Sequence, residues 1–130
     1  MKGNGRRAAP TALVVDDDPR CRALVAAALT EAGFEVLSAA DGYRATAVLA
    51  RPELDLRLLV VDTEMPGVHG WAVIQYAKAK HRRLRVLRLG RADDEVPGAE
   101  YAAFRHLPTL SKPFGASELM GWIERLGPRV

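Results

Sequence analysis

Leu56-Arg57-Leu58-Leu59-Val60-Val61-Asp62-Thr63-Glu64-Met65-Pro66-Gly67 is the stretch that decides the fold. Leu56 to Val61 is the most apolar short run in the chain, the pattern of a strand buried on both faces of a parallel sheet. It ends abruptly in a carboxylate, Asp62, and then in Met65-Pro66-Gly67, a turn signal. Such a strand needs partners on both sides. Ala12 to Val15 and Glu35 to Ala39 precede it, and Leu84 to Leu89 and His106 to Ser111 follow. The last run is the weakest, because Pro108 lacks a ladder donor and belongs at an edge or a strand start.

Helical patterns fill the gaps between these runs. Cys21, Leu24, Val25, Ala28, Leu29 and Ala32 repeat at helical spacing, and Gly33 stands where a left-handed cap is expected. A second helix carries Ala45, Val48 and Leu49 and stops before Pro52, a third starts near Gly70, and the last carries Leu119, Ile123 and Leu126. Between Ala92 and Arg105 a further helix is expected, delayed by Pro97-Gly98 to about Ala99. The alternation predicts an α/β fold, with a five-stranded, doubly wound parallel sheet.

At 130 residues, 48% hydrophobic and 27% charged, the chain fits one globular domain, not a disordered or fibrous protein. Residues 1–10, rich in Gly, Arg and Ala, read as a disordered arm, with the folded domain over 11–130. No apolar run approaches the roughly 20 residues that cross a bilayer, and no apolar segment follows the N-terminal basic residues. A cytoplasmic protein without a membrane partner is therefore expected. The single Cys21 excludes an internal disulfide and a structural zinc site. The formal charge of +3 raises nucleic acid as a partner. However, the basic residues are spread along the chain, and Lys78, Lys80, His81, Arg82 and Arg83 read as a helix end complementing its own dipole. No nucleic-acid partner is expected.

In open parallel sheets, ligands bind beyond the carboxyl ends of the strands. There the first strand ends in Asp16-Asp17-Asp18, the third in Asp62, and the fifth in Lys112-Pro113. Each piece has a plainer role: Asp18 before Pro19 is a helix N-cap, Asp62 is able to cap a turn, and Lys112-Pro113 is able to form a surface turn. Their succession at three strand ends favours a joint site. Gathered carboxylates repel and call for a cation, which a hard divalent ion such as Mg²⁺ would satisfy.

The motifs LVVDDDP at Leu13 to Pro19, AADG at Ala39 to Gly42, LLVVDTEMPGVHGW at Leu58 to Trp71 and LSKPF at Leu110 to Phe114 resemble those of response-regulator receiver domains, the phosphorylatable modules of two-component signalling. The resemblance covers roughly Thr11 to Leu126 and is closest in style to receivers of hybrid histidine kinases. It implies a flavodoxin-like (βα)5 fold. It implies that Asp62 is the phosphoacceptor, that Asp16, Asp17, Asp62 and the backbone carbonyl of Glu64 hold Mg²⁺ or Mn²⁺, and that Lys112 contacts the phosphoryl oxygens. Met65-Pro66 and Gly70 would shape the loop after the acceptor, and Pro113 would be a cis proline.

Two positions depart from the family. Where the fourth strand of a receiver ends in Ser or Thr, this chain has Gly90 in the ungapped register or Leu89 when aligned on GRADD, Gly90 to Asp94. Where receivers carry an aromatic residue three before the lysine, it has Thr109. A lost hydrogen bond to a charged group is worth about 1.5–3 kcal/mol, on the scale of the energies that bias such switches. Arg91, in the ungapped register, falls beside the phosphoryl site.

The expected function is thus a stand-alone response regulator, not a dedicated enzyme. It takes a phosphoryl group onto Asp62 from a histidine kinase or histidine phosphotransfer protein, with a non-standard switch and an unidentified protein target. The alternative is a degenerate receiver that binds proteins independently of phosphorylation. Asp16 and Asp18 also resemble the two-aspartate motif of haloacid-dehalogenase-like phosphatases, but that motif continues with Thr or Val where Pro19-Arg20 stand. Weakness around the fourth helix and fifth strand favours a monomer, and Trp71 and Trp122 read as partly buried packing.

Overall fold

The structure, a computed structural model, describes residues 9–65, 69–91 and 96–127. Among these residues one sheet contains β1 (Thr11–Val15), β2 (Glu35–Ala39), β3 (Leu56–Asp62), β4 (Arg85–Gly90) and β5 (Thr109–Ser111). The strands are all parallel, in the order β2-β1-β3-β4-β5. Four α-helices surround it: α1 (Pro19–Glu31), α2 (Gly42–Leu49), α3 (Gly70–Lys80) and α4 (Ala116–Leu126).

β3 is central, and every residue in it except Arg57 is buried. Its side chains alternate between two cores. Leu59 and Val61 join Leu13, Val15 and the apolar faces of α2 and α3, whereas Leu58 and Val60 join Ala12, Val14 and those of α1 and α4. Both faces are covered, which is why the run reads as continuously apolar. Because β1 lies between β2 and β3, the chain winds one way from β1 to β2 and the other way from β2 to β3. That reversal leaves a crevice beyond the carboxyl ends of β1 and β3.

The caps follow the local sequence. Asp18 accepts from the Arg20 N–H at 2.9 Å with Pro19 in the first turn, and Gly33 takes φ 102° just after α1. Asp41 caps α2 through the Arg44 N–H, and His69 Nδ1 caps α3 through the Ala72 N–H. Lys78 and Lys80 lie in the last turn of α3, as the basic run suggested. Gly70 is where α3 meets the end of β3. A Cβ there would collide with the Asp62 carbonyl oxygen and stand 2.6 Å from Thr63 Cα, so only glycine allows this approach.

Two expectations need correction. The helix expected near Ala99 does begin there, but it is a 3₁₀ helix, Ala99–Phe104, not an α-helix. Pro97-Gly98 on one side and the approach to β5 on the other leave a short segment, and short segments favour the tighter winding. The strand expected over His106 to Ser111 is confined to Thr109–Ser111. Pro108 stands just before it and contributes only its carbonyl, which accepts from the Arg88 N–H at 2.9 Å. The N-terminal arm up to residue 8, Pro66 and Gly67 of the loop after Asp62, and Ala92 to Asp94 of GRADD lie outside the described residues.

Candidate functional site

The crevice gathers the charged residues that the sequence placed at strand ends. Asp16 leaves β1 with its side chain wholly buried, and Asp62 closes β3 with 8% of its side chain exposed. Lys112 directly follows β5 and is joined to Pro113 by a cis peptide bond, and its Nζ donates to Asp16 Oδ2 at 2.8 Å and to Asp62 Oδ2 at 3.1 Å. One ammonium thus ties three strand ends together. The remaining carboxylate oxygens are also held, since Asp16 Oδ1 accepts from the Asp18 N–H at 2.9 Å and Asp62 Oδ1 from the Glu64 N–H at 2.8 Å. These charge-assisted bonds fix both carboxylates before any ligand arrives.

Asp17, exposed at the rim, completes an acidic group with Asp16 and Asp62, each of which offers one carboxylate oxygen within 4.8 Å of the other two. A carboxylate-only donor set, one side buried and one open to water, suits a hard divalent cation. Glu64 enters the site through its N–H, and its side chain is exposed.

Electrostatics at the site follow from these neighbours. Burial works against the Lys112 charge, but its hydrogen bond to Asp16 and the attraction of Asp62 and Asp16 outweigh it, so the ammonium is held well above its usual range. Cys21, in the first turns of α1, lies against the same carboxylate. Burial, a hydrogen bond to Asp16 and that charge together push its thiol up to about 12. Beside Lys112 a cavity of about 440 Å³ opens to solvent between Cys21 and Leu24 of α1 and the Pro113-Phe114 turn.

Of the two departing positions, Gly90 is at the site and Thr109 is not. Gly90 ends β4 opposite Ser111, and its carbonyl accepts from the Lys112 N–H at 3.1 Å. Thr109 faces Arg88, a residue the sequence analysis passed over. Arg88 is 2% exposed, its guanidinium stacks 4.3 Å from the centre of the Trp71 ring, and its Nη1 donates to Thr109 Oγ1 at 2.8 Å. The signal was available as a cation set between Leu87 and Leu89 in the interior of a strand, Arg85-Val86-Leu87-Arg88-Leu89-Gly90, whose other arginine stands at its start. Trp71 is buried and Trp122 half-buried against the α1/α4 core, in keeping with packing roles.

The class of protein is set by this fold together with this edge. The model of the response regulator receiver domain matches residues 12–124, and the chain belongs to that family, the receivers of two-component signalling. It is 34% identical over 128 residues to the transcriptional regulatory protein TcrA of Mycobacterium tuberculosis, covering 96% of this chain and 49% of TcrA. It is 30% identical over 122 residues to the DNA-binding dual master transcriptional regulator RpaA of Synechocystis, covering 90% of this chain and 48% of RpaA. The chain thus spans about half the length of the curated relatives it matches. Among solved structures, a receiver domain protein of Bacillus halodurans superposes with a TM-score of 0.75 at 22% identity, covering 94% of this chain and all of that one. The chemotaxis protein CheY4 of Vibrio cholerae gives 0.74 at 24% identity, covering 92% and 99%. These likenesses establish the receiver fold. No helix among the described residues is long and apolar enough to cross a membrane.

Proposed function

We propose that this receiver accepts a phosphoryl group on Asp62 from the phosphohistidine of a kinase or phosphotransfer protein. The observation that carries the reading is the Lys112 ammonium, bonded at once to Asp16 and Asp62. An oxygen of the Asp62 carboxylate attacks phosphorus in line. As the new O–P bond forms the P–N bond breaks, its electron pair returns to the imidazole, and Asp62 becomes an acyl phosphate. Such a transfer needs positioning and charge neutralisation more than covalent help. Lys112 supplies a fixed positive charge where the phosphoryl oxygens gather, and the Glu64 N–H and Gly70 hold the acceptor turn.

Asp16, Asp17 and Asp62, with the Glu64 carbonyl, are the groups proposed to hold Mg²⁺ or Mn²⁺. When bound, such an ion offsets the negative charge of phosphoryl group and carboxylates. The donor protein is proposed to approach over the cavity beside Lys112, where Leu24 leaves 42% of its surface exposed as an apolar contact next to the charged site.

A second reading, a receiver whose partners bind without regard to phosphorylation, is favoured by the 3₁₀ helix and by Thr109, whose hydroxyl is engaged with Arg88. Intact mass after incubation with acetyl phosphate separates the two. A Mg²⁺-dependent gain of one phosphoryl group, absent in Asp62→Asn, is expected. No gain, together with no response to beryllofluoride, would favour the second reading.

A further inference from the structure

Arg88 is a buried cation in contact with Thr63, the residue after the proposed acceptor, and nothing in the transfer to Asp62 uses it. A guanidinium keeps its charge at any ordinary pH, so burying one demands compensation from its surroundings. Among the described residues, the face of Trp71 on α3, the Thr109 hydroxyl on β5 and the Thr63 hydroxyl, which accepts from Nη2 at 3.5 Å, contribute to it. Thr63 is buried and directly follows Asp62, and its N–H bonds the Leu89 carbonyl at 3.2 Å. Trp71 in turn packs at 6.5 Å against Tyr101, the buried residue of the 3₁₀ helix.

We propose that Arg88 is a positioning residue of the acceptor turn, holding Thr63 and joining it to Trp71 and Thr109, so that the phosphoryl state of Asp62 is carried to α3, β5 and the 3₁₀ helix through one buried cation. The inference rests on Asp62 being the acceptor. Phosphorylation raises the negative charge on the turn by about one unit. The added charge draws on the guanidinium through Thr63, whose hydroxyl it already contacts on the buried side of the turn. The Thr63 contact, longer than the one to Thr109, has room to shorten. Any movement of Arg88 toward Thr63 takes charge off the Trp71 ring and slackens the bond to Thr109.

Trp122→Phe leaves Trp71 as the sole tryptophan of the chain's two. In that background, emission and intact mass are followed together after adding acetyl phosphate and Mg²⁺, with circular dichroism first confirming that each variant folds. The expected result is one phosphoryl group per chain and a change in Trp71 emission. That change is lost in Arg88→Lys, which keeps the charge but not the fork, and independently in Thr63→Val, which leaves Arg88 in place. A loaded Trp122→Phe protein with unchanged emission, or the same emission change in the loaded Arg88→Lys and Thr63→Val proteins, would overturn the inference and leave Asp62 as the acceptor. Absence of mass gain in Trp122→Phe would overturn both.

Discussion

At the ends of β1, β3 and β5 a single ammonium holds two carboxylates at 2.8 and 3.1 Å. Beside it, on the β4–β5 side, the chain offers no side chain at Gly90 and a hydroxyl at Thr109 that is bound to Arg88. The first region is arranged as the proposed phosphoryl transfer would need, while the second is organised around a buried guanidinium. Loading and readout are physically separable because they draw on different contacts. Charge neutralisation at Asp62 depends on Lys112, which Asp16 holds in place, whereas the proposed relay toward the 3₁₀ helix runs through Thr63, Arg88, Trp71 and Tyr101.

The largest effect is expected from removing the ammonium that defines the first region. Lys112→Met should slow phosphorylation by acetyl phosphate by about 10²–10³-fold, the cost of losing one donor aimed at developing charge; a near-normal rate in stopped-flow would break the contrast at its stronger end. Next comes Cys21, whose thiol is held near 12 by burial and Asp16. A folded-state value above that of a free thiol keeps the group protonated, so alkylation by iodoacetamide at pH 8 should be at least about 100-fold slower than for a free cysteine of pKa about 8.5. The rate should rise only as pH approaches the folded value, and stability contributed by the neutral thiol is lost over that same alkaline range. Rapid alkylation of folded protein at pH 8 would contradict the packing of Cys21 against Asp16.

Gly70→Ala sharpens the comparison from the backbone side. A methyl group there meets the Asp62 carbonyl and Thr63 Cα, so urea denaturation should show a loss of about 1–3 kcal/mol. No loss would mean that the acceptor turn yields without cost. The smallest effect is expected at Glu64, whose exposed side chain borders the site. Glu64→Ala should change the decay rate of the phosphorylated protein by about tenfold or less, the reach of one ordinary side-chain contact. Unchanged decay would show that the side chain lies clear of the water path.

Most of the loading region was readable in the residues. Leu56 to Asp62 announced a central parallel strand, and Asp16, Asp62 and Lys112 fell at strand ends whose position the sheet topology fixes. The readout region was less legible for physical reasons. Whether Ala99 to Phe104 winds as α or 3₁₀ depends on how much chain remains between Pro97-Gly98 and β5, which tertiary packing decides. The partners of Arg88 among the described residues come from α3, β5 and the turn after β3, with Thr109 opposite it only through the β4–β5 register. Local pattern revealed that a cation stood in an apolar strand, but not what would surround it.

Chemical trapping identifies the residue that carries the phosphoryl group, proposed here to be Asp62. Protein incubated with acetyl phosphate and Mg²⁺ is treated with sodium borodeuteride, which reduces an acyl phosphate to the alcohol, and then digested and mapped by tandem mass spectrometry. The account requires deuterium-labelled homoserine at position 62 and nowhere else. Label at Asp16, Asp17 or Asp18 instead, or no label in a protein that has gained the phosphoryl mass, would contradict it.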